Sequence, residues 1–331
     1  MIQLYTHENR QVLSEYAGLY IAKRVEEDPS LSLGGATGSS PKSMYGFMRE
    51  NGDFSKTKIL FLDEYFAKDS YRQYAIRHLH ENFEDKSRAF EKENLVVPRG
   101  IWYHDWSDKV VTPDGLDKIL RENTADYELI GPEIRIKEDC RDPLLSRIGE
   151  YCSRFERQLP AHRIQILGIG VEGHIGFNEK GTKKDSLTHL TRLADSTMQA
   201  NADDFKDGEV TWYAVTQGTT SILGAEELLL LAFGEAKQSA VRNMLLGEQS
   251  PENPASYIRD HNNVRGYIDS AAFEGARKEG ALKAIDSIIC LQKTEEIPSN
   301  AGEKRPEAKA VSFSDEYDGE PPIRYKRFKQ Y

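Results

Sequence analysis

Four short segments carry the side chains that could do chemistry. Asp63 and Glu64 follow the apolar run Lys58 to Leu62, at the strand end where α/β folds collect ligands. A carboxylate there can act as a general base if partial burial lifts its pKa toward the working pH. Acids in that place can equally cap the next helix or face solvent. The second segment runs from Gly168 to Glu179 and holds one histidine, His174, between Glu172 and Glu179. An imidazole beside carboxylates can be fixed in one tautomer and tuned as an acid/base near neutrality; the plain alternative is a hydrogen-bonded loop histidine. With no second histidine at ligand spacing, a metal site is not expected.

The third segment, Gly34-Gly35-Ala36-Thr37-Gly38-Ser39-Ser40, leads into Pro41. Glycines let backbone N–H groups approach an anion, and Thr37, Ser39 and Ser40 add hydroxyl donors. A helix starting at this point adds the positive end of its dipole. No Gly-Lys-Ser/Thr follows and no dinucleotide fingerprint is present, so the choice lies between a phosphate cradle of another kind and a tight turn. Lys237, after Gly234-Glu235-Ala236, could bring an ammonium to a phosphate or simply be solvated.

The elements that must position these residues alternate between apolar runs and helical patterns, the sequence form of a parallel sheet flanked by helices. Helices are expected from Asn9 to Glu26, from Pro41 to about Glu50, and after Gly234 through Val241 and Leu245. Pro41 suits a first helical turn, where its missing N–H needs no partner. Strands are expected at Ser30 to Leu33, Lys58 to Leu62, Arg163 to Leu167, Val210 to Thr216, Leu228 to Phe233 and Val264 to Ile268. Two stretches break the alternation. Residues 101–137 are polar, contain Trp102, Tyr103 and Trp106, and read as an insertion or subdomain. From about Thr294 the chain is rich in Pro, Glu and Lys, so residues 291–331 are expected to be an extended or disordered tail unless they dock.

The 331 residues can bury a sizeable core, and 38% hydrophobic with 30% charged residues describes an ordinary globular protein. A net charge of −10 argues against nucleic acid as a partner. The longest apolar run, around Glu227 to Phe233, is only strand-length, so no membrane partner is expected. The first residues show neither a basic region nor an apolar signal core. Cys140, Cys152 and Cys290 have no metal-type spacing and cannot all pair within the chain. A reducing cytoplasm and a packing role for the cysteines are the expectation.

Taken in order, Ala36-Thr37-Gly38-Ser39-Ser40-Pro41, Leu62-Asp63-Glu64-Tyr65 with Ser70-Tyr71, and Gly173-His174-Ile175-Gly176-Phe177-Asn178-Glu179 resemble the glucosamine-6-phosphate deaminase/isomerase family. Gly234-Glu235-Ala236-Lys237 and Pro254-Ala255-Ser256 add to the resemblance, which runs from about Leu31 to Ala272. It implies a Rossmann-like three-layer α/β sandwich with a parallel sheet, a fold shared with 6-phosphogluconolactonases. It also implies a catalytic domain over 1–290, with an insertion at about 101–137 and a lid at about 182–205. The implied substrate is a small amino-sugar phosphate, converted to fructose 6-phosphate and ammonia without a metal or redox cofactor. By this resemblance Asp63 moves a proton from carbon 2 to carbon 1. His174 opens the sugar ring, oriented by Glu179 and Glu172. Gly35, Thr37, Gly38, Ser39, Ser40 and Lys237 hold the phosphate. Family members are often oligomeric, so self-association is consistent with the resemblance.

The chain departs from the family pattern at four places. Glu172 stands where Asp is usual, and Lys180 replaces a usual proline. Asp203 occupies the position of a phosphate-binding arginine, where an acid would repel the ligand, leaving Arg192, Lys183 or Lys184 as substitutes. Leu187 and His189 replace residues that bind an N-acetylated activator in some members, so that form of control is not expected. Two other functions fit parts of the pattern. Lactone hydrolysis would use His174 but has no use for Asp63, and a sugar-phosphate-binding protein with reduced catalysis would tolerate the altered positions.

Overall fold

Strands buried on both faces need continuous apolar runs, whereas strands at a sheet edge or rim do not. The chain contains both kinds and sorts them into two sheets. The structure, a computed structural model, describes residues 2–104, 108–205 and 210–278, together with the backbone of 287–290 and 309–311. The first sheet holds β1 (Ile2–His7), β2 (Ser32–Gly35), β3 (Ile59–Phe61), β5 (Leu95–Val96), β8 (Arg163–Gly168), β11 (Glu227–Ala232), β12 (Val264–Asp269), β13 (Ser287–Cys290) and β14 (Lys309–Val311). The second holds β4 (Asp63–Tyr65), β6 (Tyr127–Ile130), β7 (Glu133–Ile136), β9 (His189–Arg192) and β10 (Tyr213–Thr216).

In the first sheet the order β1-β12-β11-β8-β2-β3-β5 is parallel throughout, with β13 added in parallel beside β1 and β14 antiparallel beyond it. All six residues of β11 are buried, as the unbroken apolar run requires. Helices flank this sheet: α1 (Arg10–Glu27) packs on α2 (Ser39–Asn51). The expected α/β architecture and most expected strands are present. Strand β1, which the alternation did not single out, lies between β12 and β13. Of the expected tail, only Lys309–Val311 falls within the described residues.

The second sheet is the main departure from the expected alternation. Its order is β4-β10-β9-β7-β6, antiparallel at every pairing. The strand expected at Val210 to Thr216 starts at Tyr213 and joins this sheet instead of the parallel one. An apolar run carries no information about its direction or partner. Residues 113–136 supply the helix Pro113–Glu122 and the hairpin β6–β7 to this second layer. The stretch 182–205 likewise contributes β9. A separate apolar cluster lies under this sheet, with Phe66, Trp102, Leu116, Leu145, Leu190 and Val215 at its centre.

The two sheets meet between β3 and β4. The chain leaves the parallel sheet at Phe61, crosses at Leu62 and enters the antiparallel sheet at Asp63. Gln217, fully buried, clamps this crossing: its backbone N–H donates to Leu62 O at 2.7 Å and its Nε2 to Phe61 O at 2.9 Å. Asn178 Nδ2 in turn donates to Gln217 O at 2.8 Å, tying the loop after β8 to the same point. Buried amides hydrogen-bonded to backbone in this way fix position as well as stability. Replacing Gln217 with Ala should therefore cost about 1–3 kcal/mol in urea denaturation. A loss below about 0.5 kcal/mol, the scale of an ordinary surface change, would show that the crossing does not depend on it.

Candidate active site

A cleft of about 250 Å³ opens at the crossing between the sheets. Thr37, Gly38, Ser39, Ser40, Asp63, His174 and Lys237 all line it, together with Tyr71, Thr197 and Asn201. Seven of the ten residues singled out from sequence thus converge from four separate segments on one cavity.

The glycine-rich turn takes the form expected of an anion cradle. Gly38 has φ of 95° and is the cap of α2, which begins at Ser39 and carries Pro41 in its first turn. That φ is one that side chains with a Cβ rarely adopt. Tyr45 holds the turn from beneath, accepting from Ala36 N at 3.1 Å and donating to Ala36 O at 2.8 Å. Tyr74 OH donates to Gly38 O at 3.1 Å. The first-turn amides of α2, which have no acceptor within the helix, belong to residues that line the cleft. Gly35 does not line the cleft. It ends β2, where a Cβ would come within 2.9 Å of the Phe61 ring, so it is there for close packing of neighbouring strands.

Asp63 and Glu64 divide between them the two alternatives open from sequence, because consecutive strand residues point to opposite sides. Glu64 is fully buried and accepts from the backbone N–H groups of Tyr71 and Arg72 at 2.9 and 3.1 Å. It thereby caps the helix Ser70–Ile76; burial lifts its pKa to about 7 even against these donors. Asp63 is 5% exposed and its carboxylate has no hydrogen-bond partner among the described residues. Burial, with the neighbouring Glu64 charge second, holds its pKa well above the usual carboxylate range.

His174 is presented by a loop that only glycines can form. Gly173 has φ of 85° and Gly176 φ of 55°, and a Cβ on Gly170 would lie 2.2 Å from the imidazole. Glu179 Oε2 lies 3.2 Å from His174 Nδ1, and Thr197 Oγ1 lies 3.4 Å from the same nitrogen. A proton on Nδ1 satisfies the carboxylate and leaves Nε2 as an acceptor. Burial pushes the Glu179 pKa up, but bonds from His174, Thr197 and the Ala194 N–H outweigh it, and the carboxylate sits below its ordinary value. Glu172 does not join this pair. It is exposed and accepts from Ser196 Oγ at 2.7 Å, because the turn at Gly173 directs the two neighbouring side chains apart.

Among the described lining residues Lys237 is the cation of the cleft. Burial lowers its pKa, an effect that a bound anion would offset. Asp203 does not line the cleft; Ala200 and Asn201 do. The following Asp204 accepts from Tyr65 OH at 3.1 Å, and Asn201 Nδ2 donates to that same hydroxyl at 2.9 Å. The stretch around residues 201–204 is thus anchored on the strand that carries Asp63. Arg192, Lys183 and Lys184 do not line the cleft. Thr197 and Asn201 were not identified from sequence, since neither stands in a spacing that distinguishes it from any helix-end polar residue.

Comparison with known proteins gives the family. The glucosamine-6-phosphate deaminase of Bacillus pumilus is 31% identical over 276 residues, which cover 80% of this chain and 96% of that protein. The corresponding protein of Streptococcus thermophilus is 34% identical over 243 residues, 73% of this chain and 86% of its own. The chain belongs to the glucosamine-6-phosphate deaminase family. A solved monomeric glucosamine-6-phosphate deaminase superposes with a TM-score of 0.63 at 28% identity, over 82% of this chain and 99% of that one. The 6-phosphogluconolactonase of Leishmania guyanensis reaches a TM-score of 0.57 at 16% identity over 83% of this chain and 98% of its own, a likeness of fold alone. No family profile matches the chain. No helix among the described residues of this deaminase-family protein is long and apolar enough to cross a membrane.

Two tests follow from the site. Gly170→Ala should displace the imidazole while leaving the backbone unstrained, lowering turnover about 100-fold with little change in unfolding midpoint; full turnover would mean that the ring position is not critical. Asp63→Asn removes a carboxylate whose folded-state pKa is raised. A raised pKa contributes stability at low pH that is lost as pH rises through the folded value. The Asn variant should therefore be more stable than the parent at pH 8, with the difference shrinking as pH falls toward the unfolded carboxylate pKa. A parent more stable than the variant at pH 8 would contradict the burial argument.

Proposed function

We propose that the chain converts glucosamine 6-phosphate and water to fructose 6-phosphate and ammonia. The observation that carries this reading is the convergence of an unpaired buried carboxylate, Asp63, and a carboxylate-held imidazole, His174, on one cleft with an anion cradle at its end. The Thr37–Ser40 turn, the start of α2 and Lys237 hold the phosphate and so fix the distance of the sugar carbons from Asp63. His174 Nε2 takes the proton from the anomeric hydroxyl and returns it to the ring oxygen, opening the pyranose. Glu179 stabilises the imidazolium between these two steps.

In the open chain Asp63 removes the proton on carbon 2 and delivers it to carbon 1, while the oxygen on carbon 1 takes up the proton that the ammonium on carbon 2 gives up. The nitrogen on carbon 2 is left doubly bonded to carbon, and water adds there to release ammonia and form the ketone. Burial of Asp63 suits the first of these steps, because a carboxylate with a raised pKa is a stronger base than one in water. Glu172 takes no part in this scheme. Lactone hydrolysis would leave Asp63 without a role, and the likeness to lactonases is one of fold.

The direct test follows ammonia and fructose 6-phosphate together from glucosamine 6-phosphate. Stoichiometric formation of both is expected, and its abolition in Asp63→Asn with phosphate-ligand binding retained. His174→Gln should lose turnover mainly with the cyclic substrate. Equal loss with an open-chain analogue would contradict a ring-opening role, and undiminished turnover in Asp63→Asn would remove the proposed base.

A further inference from the structure

Glu179 has two sides. One oxygen faces His174; the residue also forms part of the wall of a second cavity, about 400 Å³. This cavity is built by the helix Pro113–Glu122, the hairpin β6–β7 and the ends of β9 and β10. Leu120, Tyr127, Leu129, Ile134, Leu193 and Tyr213 give it an apolar surface. A concave apolar site with a few convergent polar groups is the usual form of a small-molecule pocket.

The charges around it are already committed, with one exception. Asp117 pairs with Arg121 at 2.8 Å and accepts from Tyr213 OH at 2.6 Å. Lys180 pairs with Glu252 at 2.8 Å, and Glu179 is engaged by His174. Arg192, directly opposite Tyr213 across the β9–β10 ladder, has no ion-pair or side-chain hydrogen-bond partner among the described residues. An uncommitted guanidinium at the mouth of an apolar cavity matches a carboxylate attached to an apolar body, since its planar fork receives both oxygens. Leu129, 67% exposed at the same cavity, is an apolar side chain that such a body would cover.

We propose that this cavity is a second ligand site that takes a small organic carboxylate, its apolar body on the Leu129–Tyr213 surface and its charge on Arg192, and that occupancy is felt at His174 through Glu179. The second half of this statement rests on the catalytic reading of His174; the first does not. Benzoate is the probe, with acetate as the control that has the charge without the apolar body. Benzoate should raise the melting temperature of the full chain saturably, and acetate at the same concentrations should not. Arg192→Ala should weaken benzoate binding about tenfold or more, and Leu129→Asp should weaken it through like-charge repulsion. Neither residue lines the catalytic cleft, so basal turnover should be kept in both. In the parent, benzoate should change kcat or KM for ammonia release with the same midpoint as the thermal shift. Absence of a saturable shift, or a shift kept in Arg192→Ala, would overturn the site. Binding with unchanged turnover would overturn the coupling. A protein without ammonia release that still binds benzoate through Arg192 would refute the deaminase reading and leave the site standing.

Discussion

The crossing of the chain from one sheet to the other at Leu62 is the constraint on which the rest of the site depends. It places a carboxylate where two sheets converge, almost wholly buried and with no side-chain cation beside it. A buried acid without a partner is costly, and folded proteins seldom keep one without a chemical use. The buried amides of Gln217 and Asn178 hold the crossing in place. Glu64, one residue on, spends its charge on capping a helix. That division leaves the Asp63 carboxylate on the wall of the cleft.

The same economy governs His174. Its loop leaves no room for a Cβ at Gly170 and turns through the left-handed region at Gly173 and Gly176, so the ring has few positions open to it. Glu179 and Thr197 then select one tautomer. Thr197 lies in the same stretch as Asn201 and Asp204, which hydrogen-bond to Tyr65. Residues 197–204, Tyr65 beside Asp63, and His174 are therefore tied together by side-chain hydrogen bonds.

Much of this was legible in the sequence where a feature has a local cause. Glycines with adjacent hydroxyls before Pro41 announce a turn into a helix, and an unbroken run such as Glu227 to Ala232 announces a doubly buried strand. What was not legible has a nonlocal cause. The antiparallel partner of Tyr213–Thr216 is Asp63–Tyr65, well over a hundred positions away, and nothing in either segment names the other. The separation of Glu172 from His174 depends on one glycine φ, and the placement of Asp203 off the cleft lining goes with the contact of its neighbour Asp204 with Tyr65. Gly35 belongs with the glycines by pattern but with the Phe61 ring by packing.

The central claim is that Asp63 carries the proton between carbons 2 and 1. Proton NMR of glucosamine 6-phosphate turnover in deuterium oxide reads that step directly, through the label at carbon 1 of the product and at carbon 2 of residual substrate. A base shielded as Asp63 is should transfer part of the original proton internally, so the product carbon 1 should hold less than one full deuterium, and Asp63→Asn should show no exchange at all. Exchange at carbon 2 that persists in Asp63→Asn would contradict the account.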